Sequence, residues 1–78
     1  MKTKPTYLVE AWGTCDWFDG VYNAWSEGQS LGTLDALVEG SASEARQKGN
    51  ELKKTIADRA DGKVRNVKVV FQITRQQR

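Results

Sequence analysis

The clearest helical segment of this chain is too thin to build a core by itself, and that limits the fold more than any other feature. Ala45, Gly49, Leu52, Ile56 and Ala60 recur at spacings of 4, 3, 4 and 4, which is one face of an α-helix. Only Leu52 and Ile56 on that face are large. A face this poor in bulk must lie against a sheet that supplies the rest. The start of the helix is marked by Ser41-Ala42-Ser43-Glu44, which has the form of a capping box. Gly62 after Asp61 supplies a stop. Gly49 costs about 1 kcal/mol in helix propensity, so its place on the apolar face predicts a close approach of helix to sheet.

The remaining apolar residues alternate as strands do. In Thr6–Trp12, Tyr7, Val9 and Ala11 point one way and Leu8, Glu10 and Trp12 the other. In Val64–Thr74, Val67, Val69, Phe71 and Ile73 share a face, with Lys68, Gln72 and Thr74 opposite. Leu34, Ala36 and Val38 alternate with Asp35, Leu37 and Glu39 just before the helix. The stretch CDWFDGVYNAWSEG, residues 15–28, admits two readings. Asp19-Gly20 suits a tight hairpin turn, with the chain returning as a strand over Val21–Ser26. Alternatively Asp16 caps a helix, because Phe18, Val21, Tyr22 and Trp25 fall at helical spacing. Gly20 and the β-favouring Val, Tyr and Trp around it favour the hairpin. The expected fold is α+β, a small antiparallel sheet in the order strand, strand, strand, helix, strand, with one helix packed on one face. The expectation is one domain over residues 1–78, with residues 75–78 as a frayed tail.

Several classes of function are disfavoured by what the sequence lacks. There is no histidine, hence no imidazole general base and no histidine metal ligand. Cys15 is the single cysteine, so no internal disulfide forms and no tetrahedral zinc set is available. No phosphate-binding loop, dinucleotide fingerprint or calcium loop occurs. No apolar run approaches the ~20 residues that span a bilayer, and no apolar stretch follows Lys2 and Lys4 as in a signal peptide. The expectation is therefore a complete, small cytoplasmic protein without catalysis, cofactor, metal or membrane partner.

Charge is what remains informative. The net charge of +2 conceals a division: Glu10 to Ala45 contains seven acids and no base, and Arg46 to Arg78 contains ten bases and three acids. The acid-only half also holds Trp12, Trp17, Phe18, Tyr22 and Trp25. Such rings dominate protein interfaces because they bury large area and keep a polar handle. The thin helix implies that two or three of the five rings fill the core and that at least one tryptophan is exposed, with Trp17 the candidate beside the turn. The expected site is an acidic aromatic surface made of Asp16, Trp17, Asp19, Tyr22, Trp25 and Glu27, suited to a protein partner with a basic or nucleic-acid-handling surface. A chain of this size fits an accessory role, such as a phage- or mobile-element-type inhibitor or modulator of a host protein.

The alternative is nucleic-acid binding through Lys53, Arg65, Lys68 and Arg75 of the basic half. Against it, the span from Glu10 to Glu27 carries a charge of −4, which repels phosphate unless the fold brings Arg65 or Lys68 alongside. The order strand, Asp19-Gly20 turn, strand, strand, then a helix starting near Ser43-Glu44-Ala45 resembles the layout of integrase arm-type DNA-binding domains. That likeness covers about half of the chain and has no matching signature residues. A homodimer paired through the edge strand Val64–Thr74 is a third option, and mutual pairing of the two charged halves within the fold is the plain structural reading.

Overall fold

A computed structural model describes residues 4–76. It comprises β1 (Thr6–Asp19), β2 (Ala24–Glu39), α1 (Ala42–Ala57) and β3 (Val64–Gln76). The strands form one antiparallel sheet in the order β2-β1-β3. The class is α+β with a small sheet, and the sheet has three strands. Of the segments expected as two strands, Val21–Ser26 from Ala24 onward and the alternating run before the helix are one strand, β2, and Val21, Tyr22 and Asn23 lie in the turn before it. Its continuity is kept by local irregularities. Leu31 is skipped between the pairs Gly13↔Gly32 and Thr14↔Ser30, and Glu27 and Gly28 together face Asp16. Gly28 (φ +66°) and Gly32 (φ +92°) supply the left-handed backbone there.

Residues 15–28 form a hairpin, but its turn is later and longer than expected. Asp19 pairs with Ala24 across a loop of residues 20–23. The Asp19 carboxylate accepts from the backbone N–H of Val21 (2.9 Å) and Tyr22 (3.3 Å). The left-handed residue is Asn23 (φ +52°) rather than Gly20. The C-terminal end also differs from expectation: Arg75 pairs with Tyr7 and Gln76 with Thr6, so these two belong to β3 rather than to a frayed tail. Residues 77–78 lie outside the described residues.

The helix begins as its capping box implies, with the Ser41 hydroxyl accepting from the Glu44 N–H at 3.1 Å. It ends at Ala57, earlier than the Gly62 stop suggests, and Gly62 (φ +81°) instead turns the chain into β3. Ala45, Gly49, Leu52 and Ile56 are buried, and they cluster with Val9, Ala11, Cys15 and Leu31. At Gly49 a Cβ would run into the ring of Phe71. At Gly13 it would come within 3.0 Å of the Ile56 Cγ2, the Lys68 carbonyl and the Val69 Cγ2. These two glycines let α1 sit close to the sheet.

That closeness overturns the expectation that two or three of the five rings fill the core, while Trp17 is exposed as expected. Trp12, Trp17 and Tyr22 are exposed, and Phe18 and Trp25 are only half-buried. None of the five belongs to the buried core; the larger aromatics packed against it are Tyr7 and Phe71. Val67 also leaves its expected face and is exposed, because Cys15 of β1 is skipped where Asn66 and Val67 interrupt β3. Asn66 takes a left-handed φ of +53° at that point.

Candidate binding site

Helix α1 runs along only part of the sheet. Its start is fixed near Pro5, whose carbonyl accepts from the Gly40 N–H at 3.0 Å, and its last turn lies at Gly13. Arg59 then closes the corner, donating from Nη1 to the Leu31 carbonyl at 3.0 Å. The sheet continues past this corner to the loop at residues 20–23, and this distal hairpin carries all six residues of the expected protein-binding site.

Alternation assigns the distal side chains to faces. Cys15 is buried in the core and Val64, paired with Trp17, packs against it. Trp17 therefore shares the helix-side face, beyond the helix. Asp16 and Phe18 project from the opposite, open face of the sheet, together with Trp25, the partner of Phe18.

On the open face the basic half comes to the aromatic one. Lys63 Nζ lies 4.0 Å from the Phe18 ring centroid, and the Arg65 guanidinium 4.1 Å from that of Trp25. Phe18 and Trp25 meet edge to face at 5.4 Å. Contacts of a cation over a ring contribute about 0.5–1 kcal/mol each at exposed sites. Asp16 is buried beneath them. Its carboxylate accepts from Asn66 Nδ2 (2.7 Å), the Gly28 N–H (3.1 Å) and Arg65 Nε (3.3 Å). The Asn66 amide does most to hold this carboxyl below its ordinary value, followed by the Gly28 N–H; burial opposes them, and Arg65 adds to the lowering. Arg65 also reaches Glu27 at 4.0 Å.

The six expected residues thus divide. Asp16 is a structural clasp that ties the two bulges to β1, and it is not free to meet a partner. Trp25 is stacked under Arg65. Asp19 folds its carboxylate onto the loop backbone. Trp17, Tyr22 and Glu27 remain exposed. The surface is not an acidic one, because Lys63 and Arg65 neutralise it. An open depression of about 530 Å³ lies beside the Trp17 ring, lined also by Asp19, Ser26 and Gln29.

The alternative set divides as well. Arg65 and Lys68 share the open face, since they pair with Asp16 and Thr14. Lys53 lies over Phe71 on the helix side at 5.8 Å, and Arg75 sits at the far end beside Tyr7. Sequence reasoning missed Val21, which is 88% exposed, and the structural roles of Lys63 and Asn66. The signal available for Asn66 was its residue type, the non-glycine residue best suited to a left-handed position.

Among the described residues no group of three or more cysteines and carboxylates is arranged to hold a metal ion. Nor is any helix among them long and apolar enough to cross a membrane. Compared with known protein families, with curated proteins and with solved structures, the chain matches none.

Proposed function

We propose that this chain is a non-catalytic protein-binding module whose contact surface is the distal hairpin. The observation that supports this is the placement of Val21 and Tyr22, 88% and 80% exposed, at the end of a hairpin that extends past the helix, with Trp17 exposed on the strand that leads into the loop. Large apolar groups on a projecting tip contribute nothing to the fold that carries them. They suit insertion into a groove of a partner. The clasp around Asp16 and the edge-to-face contact of Phe18 with Trp25 hold the hairpin base in place, which lowers the ordering cost of binding. The mixed charge around the tip replaces the acidic rim expected from sequence, so the partner surface is apolar with polar edges. An inhibitory or modulatory role toward a host protein is the biological form this reading takes.

A second reading is supported by a specific contact. The fold brings Lys63, Arg65 and Lys68 onto the same face as Phe18 and Trp25, which is the condition that phosphate binding needed. The two readings separate in one set of measurements. The wild type and a Trp17→Ala/Tyr22→Ala variant are immobilised and challenged with cell extract, and each is titrated with mixed-sequence single-stranded DNA at two salt concentrations while Trp fluorescence is followed. The protein-binding reading expects a captured protein that the double variant loses, and no salt-dependent quenching. Equal capture by both forms refutes the tip as the contact. Quenching that weakens with salt and is lost in Lys63→Glu/Lys68→Glu establishes the second reading instead.

A further inference from the structure

The open face of the sheet carries a pattern that the tip does not explain. Reading across β2, β1 and β3, its rows are Glu39-Thr6-Gln76, Leu37-Leu8-Thr74, Asp35-Glu10-Gln72, Thr33-Trp12-Val70 and Ser30-Thr14-Lys68. Beyond them come Asp16-Arg65 and Trp25-Phe18, with Lys63 over the Phe18 ring. The end near the start of α1 is acidic, through Glu39, Asp35 and Glu10, and no base stands in its rows from Thr6 to Glu10. The distal end has an excess of one base: Arg65 is matched by Asp16 and reaches Glu27, and Lys63 and Lys68 stand beside them. Between the two ends lie exposed apolar groups, Trp12 at 39% and Val70 at 47%, and Leu37, 69% exposed, stands within the acidic end.

We propose that this face binds a second copy of the chain, with the two sheets packed face to face about a two-fold axis that crosses the strands at Trp12. That axis reverses the row order. Trp12 meets Trp12 and Val70 meets Val70 at the centre. The Glu10 and Asp35 row falls on the row of Thr14 and Lys68, and the Glu39 row falls on Phe18 and Lys63. Each strand stays over its own copy, so Glu10 lies over Thr14 with Lys68 one strand (~4.8 Å) to the side, and the acidic excess of one end meets the basic excess of the other twice, as a self-complementary interface requires. The other face-to-face arrangement, with the axis along the strands, sets acid on acid and base on base, so charge selects the orientation. Thirteen rows from Thr6 to Phe18, at ~3.4 Å rise each, make the face about 40 Å long. With three strands ~4.8 Å apart this gives about 1,100 Å² of buried surface in total, at the low end of specific interfaces. The dimer is therefore concentration-dependent. The two hairpin tips leave at opposite ends, both free, so the dimer presents the contact surface proposed above twice. Lys63 and Lys68 are covered, so nucleic acid and self-association compete.

Sedimentation velocity over a wide concentration range tests this. The wild type is expected to shift from monomer to dimer with rising concentration, and less so at high salt. Glu10→Lys/Asp35→Lys makes both ends basic, and Lys68→Glu makes the distal end acidic; each variant alone is expected to raise the dissociation constant by about tenfold or more, because like charges then face each other. The triple variant in one chain restores the dimer, and an equimolar mixture of the two single-sign variants forms a heterodimer. Circular dichroism confirms that each variant is folded, and the mixture supplies a gain that a misfolded chain cannot give. A wild type that stays monomeric at every concentration overturns the proposal. So does a dimer that charge reversal leaves intact, which would place the contact on the β3 edge, or a reversal that neither the triple variant nor the mixture rescues.

Discussion

Replacing Gly49 by alanine ought to stabilise a helix and here is expected to destabilise the protein. In an exposed helix interior the change from glycine to alanine gains about 1 kcal/mol from backbone entropy alone. At Gly49 the new methyl meets Cγ, Cδ2 and Cε2 of Phe71. Because Cγ is among them, a swing of the ring tip does not make room; either χ1 of Phe71 changes or α1 lifts from the sheet. Overpacking of this kind costs about 1–3 kcal/mol. The involvement of Cγ places it in the upper half, which leaves a net loss of about 1–2 kcal/mol. For a domain of this size each kcal/mol corresponds to about 4–8 °C in Tm, readily seen by circular dichroism. The sign is tested by a double-mutant cycle. In a Phe71→Ala background the obstacle is gone, and Gly49→Ala should then stabilise by its propensity gain of about 1 kcal/mol. Urea melts of the four proteins give the coupling directly. If Gly49→Ala stabilises both backgrounds by the same amount, the close contact between α1 and β3 is refuted, and with it the account of the small-residue core.

Two further expectations concern the clasp at Asp16. Its folded-state pKa is lowered, so ionised Asp16 contributes stability that is complete above its unfolded value near 4 and is lost as pH falls through the lower folded value. Urea midpoints measured between about pH 5 and pH 3 should therefore fall with acid in the wild type, and less steeply in Asp16→Asn; parallel slopes would show that the clasp carries no such linkage. Asn66→Ala and Asn66→Gly both remove the amide that donates to Asp16, but only alanine must also hold the left-handed φ of +53°. The alanine variant is expected to be less stable than the glycine variant by about 1 kcal/mol, and equal melts would show that the bulge relaxes.

What the sequence made legible follows local rules. The capping box set the first turn of α1, and alternation put Tyr7, Val9 and Ala11 of β1, Leu34, Ala36 and Val38 of β2, and Val69, Phe71 and Ile73 of β3 at the core. What it concealed depended on contacts distant in sequence. Asp16 reads as one acid among seven, and only the pairing of β1 with both neighbours shows that it satisfies Gly28, Arg65 and Asn66 at once. The sheet has one strand where two are expected, because Gly28 and Gly32 absorb extra residues in β2 without ending it. The charged halves, far apart along the chain, meet at Arg65 with Asp16 and Glu27, so part of the charge division is indeed internal pairing.

The exclusion of the rings from the core has the same origin as the Gly49 contact. A thin helix face admits two solutions: large sheet residues fill the gap, or the gap closes. Sequence reasoning took the first and assigned two or three of the five rings to the interior. The structure takes the second, because the residues at the contact are small on both sides: Gly49 and Ala45 on α1, Gly13 and Ala11 on β1. Gly13 is decisive, since a side chain there would meet Ile56 and the β3 backbone at 3.0 Å. Once helix and sheet are this close, no indole fits between them. Trp12 is left on the open face, and the other rings lie beyond the end of the helix. These five rings lie outside the core because glycine and alanine occupy the closest contact between helix and sheet, which makes their exclusion a consequence of the fold rather than a failure to bury them.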